Sequence, residues 1–281
     1  MLRFLQAILC FSFCTAAFSQ SKDSTATQEK THFVVSATYN SGLNYYGRVD
    51  SLHSKGYYPS VGLMLKNGLY ATSTFVFIQN SLINQYAATL VEGGYNFNNR
   101  KNTWAGNLSA SRYFYQADVS LVQSAVKEIV SASLTNMNKV VNITVGANVK
   151  WSGNTDIGVN AGLDHIIKFP HIFSKDKDVI VLDPSVNVFA GTQNFTKTYY
   201  QQKNFLLFPV AEQQVTTNSR QFNLLSYELS LPVVYGYKKL NLIFTPAYVL
   251  PQHLLTVPGQ PDLSERGANL FYITATAKLT L

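Results

Sequence analysis

The sequence is short of cysteine, of charge and of long apolar runs, and each shortage removes a class of protein. Its two cysteines, Cys10 and Cys14, lie in an N-terminal stretch expected to be cleaved away. The remainder then has none, so neither a disulfide framework nor a cysteine metal site is available. Leu9 and Phe13 precede them, which argues against lipid attachment. Charged residues make up 13% of the chain, and the net charge of +7 is spread without a Lys/Arg cluster, so nucleic-acid binding is not indicated. No apolar run beyond that N-terminal stretch approaches the roughly 20 residues of a membrane-spanning helix, and no segment holds a 3.6-residue period. An all-β chain is what remains.

What the sequence does have is 17 tyrosines, 18 phenylalanines and alternation. Met1-Leu2-Arg3, an apolar stretch and Ala16-Ala17-Phe18-Ser19 read as a secretory signal peptide over residues 1–19. Residues 20–31 are polar and read as a disordered lead-in, which leaves 32–281 for the folded part. From His32, Phe33, Val35, Ala37, Tyr39, Leu43 and Tyr45 face one way, and Ser36, Thr38, Asn40 and Asn44 the other.

Lys66-Asn67-Gly68 marks a hairpin, since both Asn and Gly tolerate positive φ. A change of face near Gly93-Gly94 suggests a bulge there. Trp104, Leu108, Ala110 and Phe114 share a face, and 141–151 alternates almost without a fault. The last run, Phe271 to Leu281, puts Phe271, Ile273, Ala275, Ala277, Leu279 and Leu281 opposite Thr274, Thr276 and Lys278. Twelve strands are predicted, the last pairing with the one that starts at His32. Such a closure would remove both edges of the sheet.

The connections sort by parity. The second, fourth, sixth and tenth are short, whereas the longest, about 196–221 and 251–267, fall ninth and eleventh. The eighth, 169–178, is longer than this pattern asks, and the third and seventh are shorter. With these features the chain resembles the outer-membrane β-barrel proteins of double-membraned bacteria. That resemblance implies a transmembrane antiparallel up-and-down β-barrel, with short periplasmic turns, longer external loops and a polar interior. It also implies outer-membrane lipid and the barrel-assembly machinery as partners. Leu281 departs from the aromatic residue that ends many such proteins.

Alternation then nominates a polar lining: Ser36, Thr38 and Asn40 on the first strand; Asn142, Thr144, Asn148 and Lys150 on the seventh; Asn160 and Asp164 on the eighth; Ser226 and Glu228 on the tenth; and Thr274, Thr276 and Lys278 on the last. These residues would contact solute in an aqueous pore, or form a hydrogen-bonded interior in a filled one. The five histidines, His32, His53, His165, His171 and His253, show no ligand spacing, so no metal or other cofactor is expected.

Some twelve-stranded outer-membrane barrels are phospholipases, but their His two residues before Ser-Asn-Gly is absent. The nearest fragment, His53-Ser54-Lys55-Gly56, reads as a solvated loop, so no catalytic residue is assigned. The expected function is a narrow passive channel or small-solute transporter. The alternative is a barrel whose external Thr198-Tyr199-Tyr200 and Phe205-Leu206-Leu207-Phe208-Pro209 bind a surface partner. A lipid hydrolase is a third reading with no motif behind it.

Overall fold

Twelve antiparallel strands close into one barrel in the computed structural model, which describes residues 30–49, 53–116, 126–152, 154–173, 178–194, 221–254 and 268–281. The proposed signal peptide, most of the lead-in and both aromatic loop segments, 198–200 and 205–209, lie outside the described residues.

The strands are β1 (His32–Asn40), β2 (Lys55–Met64), β3 (Leu69–Gln79), β4 (Asn84–Asn98), β5 (Trp104–Tyr115), β6 (Glu128–Asn136) and β7 (Asn142–Trp151). Three interrupted strands follow: β8 (Thr155–Asp164, then Ile167–Pro170), β9 (Asp178–Leu182, then Ser185–Gly191) and β10 (Asn223–Ser230, then Val233–Tyr237). The wall ends with β11 (Leu240–Pro251) and β12 (Leu270–Thr280). Each strand pairs with its neighbours in sequence, and β12 returns to β1 in a register running from Val34 opposite Thr280 to Asn40 opposite Thr274. The terminal alternation is therefore the closing seam, with no free edge left to pair with another chain.

Period-two patterning sorts the side chains as a bilayer requires. Phe33, Val61, Phe75, Leu108, Phe114, Val145, Val159, Phe244 and Phe271 stand exposed on the outside, while their polar neighbours turn inward. An apolar belt of this extent is unfavourable in water and favourable against lipid tails. The connections following odd-numbered strands gather at one end of the barrel and include the long 192–222 and 252–269, whereas 65–68, 99–103, 137–141 and 238–239 are short turns at the other. The eighth connection shrinks to 171–177, because β8 resumes at Ile167 and β9 begins at Asp178.

Three expectations change. β1 stops at Asn40, not near Tyr45: the Asn40 side-chain carbonyl accepts the Gly42 amide at 2.9 Å, and this Asx turn at Ser41-Gly42 swings the chain inward. Leu43 and Tyr45 are accordingly buried instead of facing outward with Phe33. No bulge occurs at Gly93-Gly94, which pair regularly with Ala71 and Tyr70. The shift lies between Val76 and Phe77, where Ala87 is the extra residue and turns into the interior beside Ala88. Ser54 is buried instead of solvated: its hydroxyl accepts the Asn80 amide at 3.0 Å and its carbonyl accepts the Leu43 amide at 2.8 Å.

The interruptions in β8, β9 and β10 lie at one level of the wall. Pro184, Pro232 and Pro246 sit on adjacent strands there, and a proline contributes no ladder N–H. Each proline carbonyl instead accepts one amide from the preceding strand: His165 onto Pro184 at 3.2 Å, Asp183 onto Pro232 at 3.0 Å and Leu231 onto Pro246 at 3.1 Å.

At the opposite side of the wall, the Lys66-Asn67-Gly68 turn needs its glycine. Gly68 has φ +91°, and a Cβ there would run into the carbonyl oxygen of Asn96, which lies on the strand that the Gly68 carbonyl itself holds through the Asn96 amide at 2.8 Å. Gly68→Ala should destabilise the barrel by about 2 kcal/mol. Urea titration of protein refolded into lipid vesicles, read by heat-modifiable gel mobility, checks it; an unchanged midpoint would mean that the turn relaxes freely.

Candidate functional site at the barrel mouth

At the end that carries the long connections, the interior is filled rather than open. After the turn at Ser41-Gly42, Asn44–Tyr45 and Arg48–Val49 form a two-rung ribbon closed by Tyr46 (φ 54°) and Gly47 (φ 76°). Positive φ at both turn residues gives the tight, right-twisted hairpin that the backbone favours over two residues. The hairpin packs into a buried apolar cluster supplied by the upper parts of β2 to β6, β9 and β10, including Tyr58, Val76, Ile78, Leu90, Tyr113, Ile129, Phe189 and Leu225. Tyr45 has no exposed surface, its ring meets Tyr46 edge-on at 4.2 Å, and Tyr46 lies 5.3 Å from Phe189.

Two cations fix this hairpin. Arg48, 5% exposed, donates to the Tyr46 and Leu225 carbonyls at 3.2 and 3.4 Å, to Gln193 Oε1 at 3.3 Å and to the carbonyls of Gln252 and His253 at 3.2 and 3.4 Å. One guanidinium thus ties the first connection to the ninth and eleventh, a span that its planar fork of donors suits. The extra residue of a second bulge, between Phe189 and Ala190 on β9, is Leu225, which brings its carbonyl to that fork.

Lys150, 3% exposed, donates to the Tyr45 hydroxyl and to the Tyr46 hydroxyl, the latter at 2.9 Å, with its ammonium 4.9 and 5.0 Å from the two ring centres. Tyr45 belongs to the connection and not to a spanning strand. Burial above all, then the neighbouring Tyr46 phenol and Asp156, raises its phenol well above the ordinary range, so Tyr45 meets Lys150 as a neutral hydroxyl.

All fourteen residues nominated for the lining are buried or half-buried, and they are spread round the wall rather than gathered. Ser36 bonds Ser60 at 2.6 Å and Thr38 bonds Thr276 across the seam at 3.0 Å. Asn142 donates to Asp164 at 2.6 Å, and Thr144 bonds Thr135 at 2.9 Å. Glu228 accepts the Tyr272 hydroxyl at 3.1 Å. Asn40 serves the Ser41-Gly42 turn, and Thr274 and Lys278 are half-buried near the seam. Asn148 Oδ1 and Ser226 Oγ are buried without a hydrogen-bond partner, and Asn160 lies against the Gly146 backbone. Of the fourteen, Lys150 bonds the mouth hairpin through the Tyr45 and Tyr46 hydroxyls.

Alternation did not nominate Arg48, Tyr46 or Gln193, because none of them lies in a run whose period could be read; Asp156 stands in phase with Asn160 at the start of β8 and was not among the residues nominated there. A second polar cluster was missed as well: Tyr70 donates to Glu92 at 2.9 Å, and Asn107 bridges Tyr70 and Asn96 at 3.1 and 2.8 Å. Among the described residues no group of three or more His, Asp or Glu could hold a metal ion.

No protein-family model matches the chain, and no curated protein matches its sequence. Solved structures match its shape. An outer-membrane channel from Pseudomonas putida F1 aligns over 92% of this chain and 100% of its own, with a TM-score of 0.51 at 7% identity. The fold is that of the bacterial outer-membrane β-barrels. Other outer-membrane barrels align less closely: a KdgM porin over 88% of this chain and 99% of its own (TM-score 0.49, 6% identity), and LpxR from Salmonella typhimurium over the same shares (0.47, 10%).

Proposed function

We propose that this outer-membrane barrel is a gated solute channel, closed by the Asn44–Val49 hairpin of its own first external connection. The observation that carries the reading is the construction of the mouth. The hairpin is a separate two-rung ribbon, joined to the wall by side chains and apolar contacts and by no strand ladder, and it stands over an interior lined by Ser, Thr and Asn. A permanent core needs no such removable piece, and a permanently open pore would not bury Tyr45. Polar residues that bond across neighbouring strands leave a lining able to accept water once the mouth is cleared.

Residues 1–19 would direct export, the assembly machinery would insert the barrel, and outer-membrane lipid would surround its apolar belt. The chemistry is passage, with no covalent step assigned.

Planar-bilayer recordings of refolded protein test this. The intact barrel should remain mostly shut, and a barrel in which residues 43–49 are replaced by a short Gly/Ser linker should open, with conductance up by about tenfold or more. A folded, heat-modifiable deletion barrel that stays shut would end the gating reading.

A further inference from the structure

Lys150 is a deeply buried cation, and both hydroxyls that accept its hydrogen bonds belong to the hairpin that gating would move. Withdrawal of the hairpin takes the Tyr45 and Tyr46 hydroxyls, their ring faces and the Arg48 guanidinium with it, and leaves the ammonium behind on the wall. A buried ammonium stripped of acceptors is costly, and an anion entering the vacated space would relieve it.

Apart from Asp156, the walls around that space are apolar. Ile129 stands beside Lys150 in the β6–β7 register and faces the same way, Phe189 loses the Tyr46 ring from 5.3 Å, and Tyr58, Tyr113 and Leu225 belong to the same buried cluster. We infer that the space now filled by the Tyr45 and Tyr46 rings is a binding site for an organic anion with an apolar body, whose carboxylate or phosphate replaces the two phenols on Lys150.

This site rests on the gating reading, since it exists only when the hairpin is out. A small hydrated anion would gain nothing from Ile129 and Phe189, and a neutral apolar molecule nothing from Lys150. The competitor is Asp156, which faces Lys150 in the β7–β8 register; its Oδ1 already accepts the Thr192 hydroxyl and the Asn194 amide, each at 2.7 Å.

The test uses full-length barrels in planar bilayers, opened either by the 43–49 linker replacement or by Tyr45→Ser with Tyr46→Ser, which keeps the hairpin backbone. Octanoate serves as probe, with acetate and 1-octanol as the charge-only and tail-only controls. Octanoate should block the open barrel at a concentration about tenfold below acetate or lower, and Lys150→Met should lose that block by about tenfold while Lys150→Arg keeps it. Heat-modifiable mobility confirms that each variant is folded.

If neither opened barrel conducts, the gating reading fails and the site falls with it. If they conduct but octanoate blocks no better than acetate, or no better than 1-octanol, or blocks Lys150→Met equally, gating stands and the site is overturned. A Lys150 that turns to Asp156 instead of binding an anion would give the first of these results.

Discussion

Arg48→Ala should hold the barrel open about one hundred times more of the time than the wild type. Its guanidinium hydrogen bonds reach three connections, and they are long, 3.2 to 3.4 Å, so each is worth less than a short charge-assisted bond. Taking about 3 kcal/mol for the set gives the hundredfold shift in population.

The apolar cluster and Lys150 still favour the closed hairpin in this variant, so its openings should be frequent but transient. Replacement of residues 43–49 should instead give a steadily open barrel. Arg48→Lys makes the sharper control: it keeps the charge but cannot reach these acceptors together, and should gate between wild type and alanine. Single-channel dwell times separate the three. Closed dwell times that match the wild type in Arg48→Ala would show that the guanidinium is packing material and not a latch.

Val145→Arg should cost the barrel about 2–4 kcal/mol of unfolding free energy, the penalty for a guanidinium near mid-depth on the lipid face of a barrel. Val145 lies near the centre of β7 and is 51% exposed on the outside of the wall. Ser133, on the adjacent strand β6, is half-buried and points inward opposite Gly146. Ser133→Lys adds a comparable charge to the interior side, where water and polar neighbours can receive it, and should cost well under half as much. Urea unfolding from lipid vesicles gives both numbers. Equal penalties would mean that the outer face is not the lipid face.

The barrel could be read from the sequence because a wall with lipid on one side and a polar interior on the other imposes a period of two along every strand. That constraint is strict from Asn142 to Trp151 and from Phe271 to Leu281, and both stretches form strands with the expected faces. It fails where the chain leaves the wall. Extending the alternation through Leu43 and Tyr45 overlooked Ser41-Gly42, a turn dipeptide whose effect depends on an Asn40 side chain folding back onto the Gly42 amide. Ala87 escaped notice for a related reason: an inserted residue turns two small side chains inward, and two alanines carry little pattern.

The mouth was the least legible part. Arg48 and Lys150 meet their partners across 145, 177 and 105 residues of sequence, and separations of that size are fixed by closure of the barrel rather than by local spacing. Lys150 was nominated as one more polar lining residue. Its place under two tyrosines appears only once the first connection is seen to fold inward.

The row of prolines gives the barrel a grain. Around β2 to β7 the hydrogen-bond ladders run from one rim to the other, apart from one bulge near the mouth and a two-residue gap in the β2–β3 pairing at Tyr58-Pro59, whereas across β8 to β11 three successive ladders are cut at one level and bridged by a single amide per gap. A tube cut in this way bends as a hinge bends, about one line. When the surrounding bilayer thins or thickens, the β8–β11 side should give first and the cross-section should flatten toward it, while the opposite side keeps its curvature.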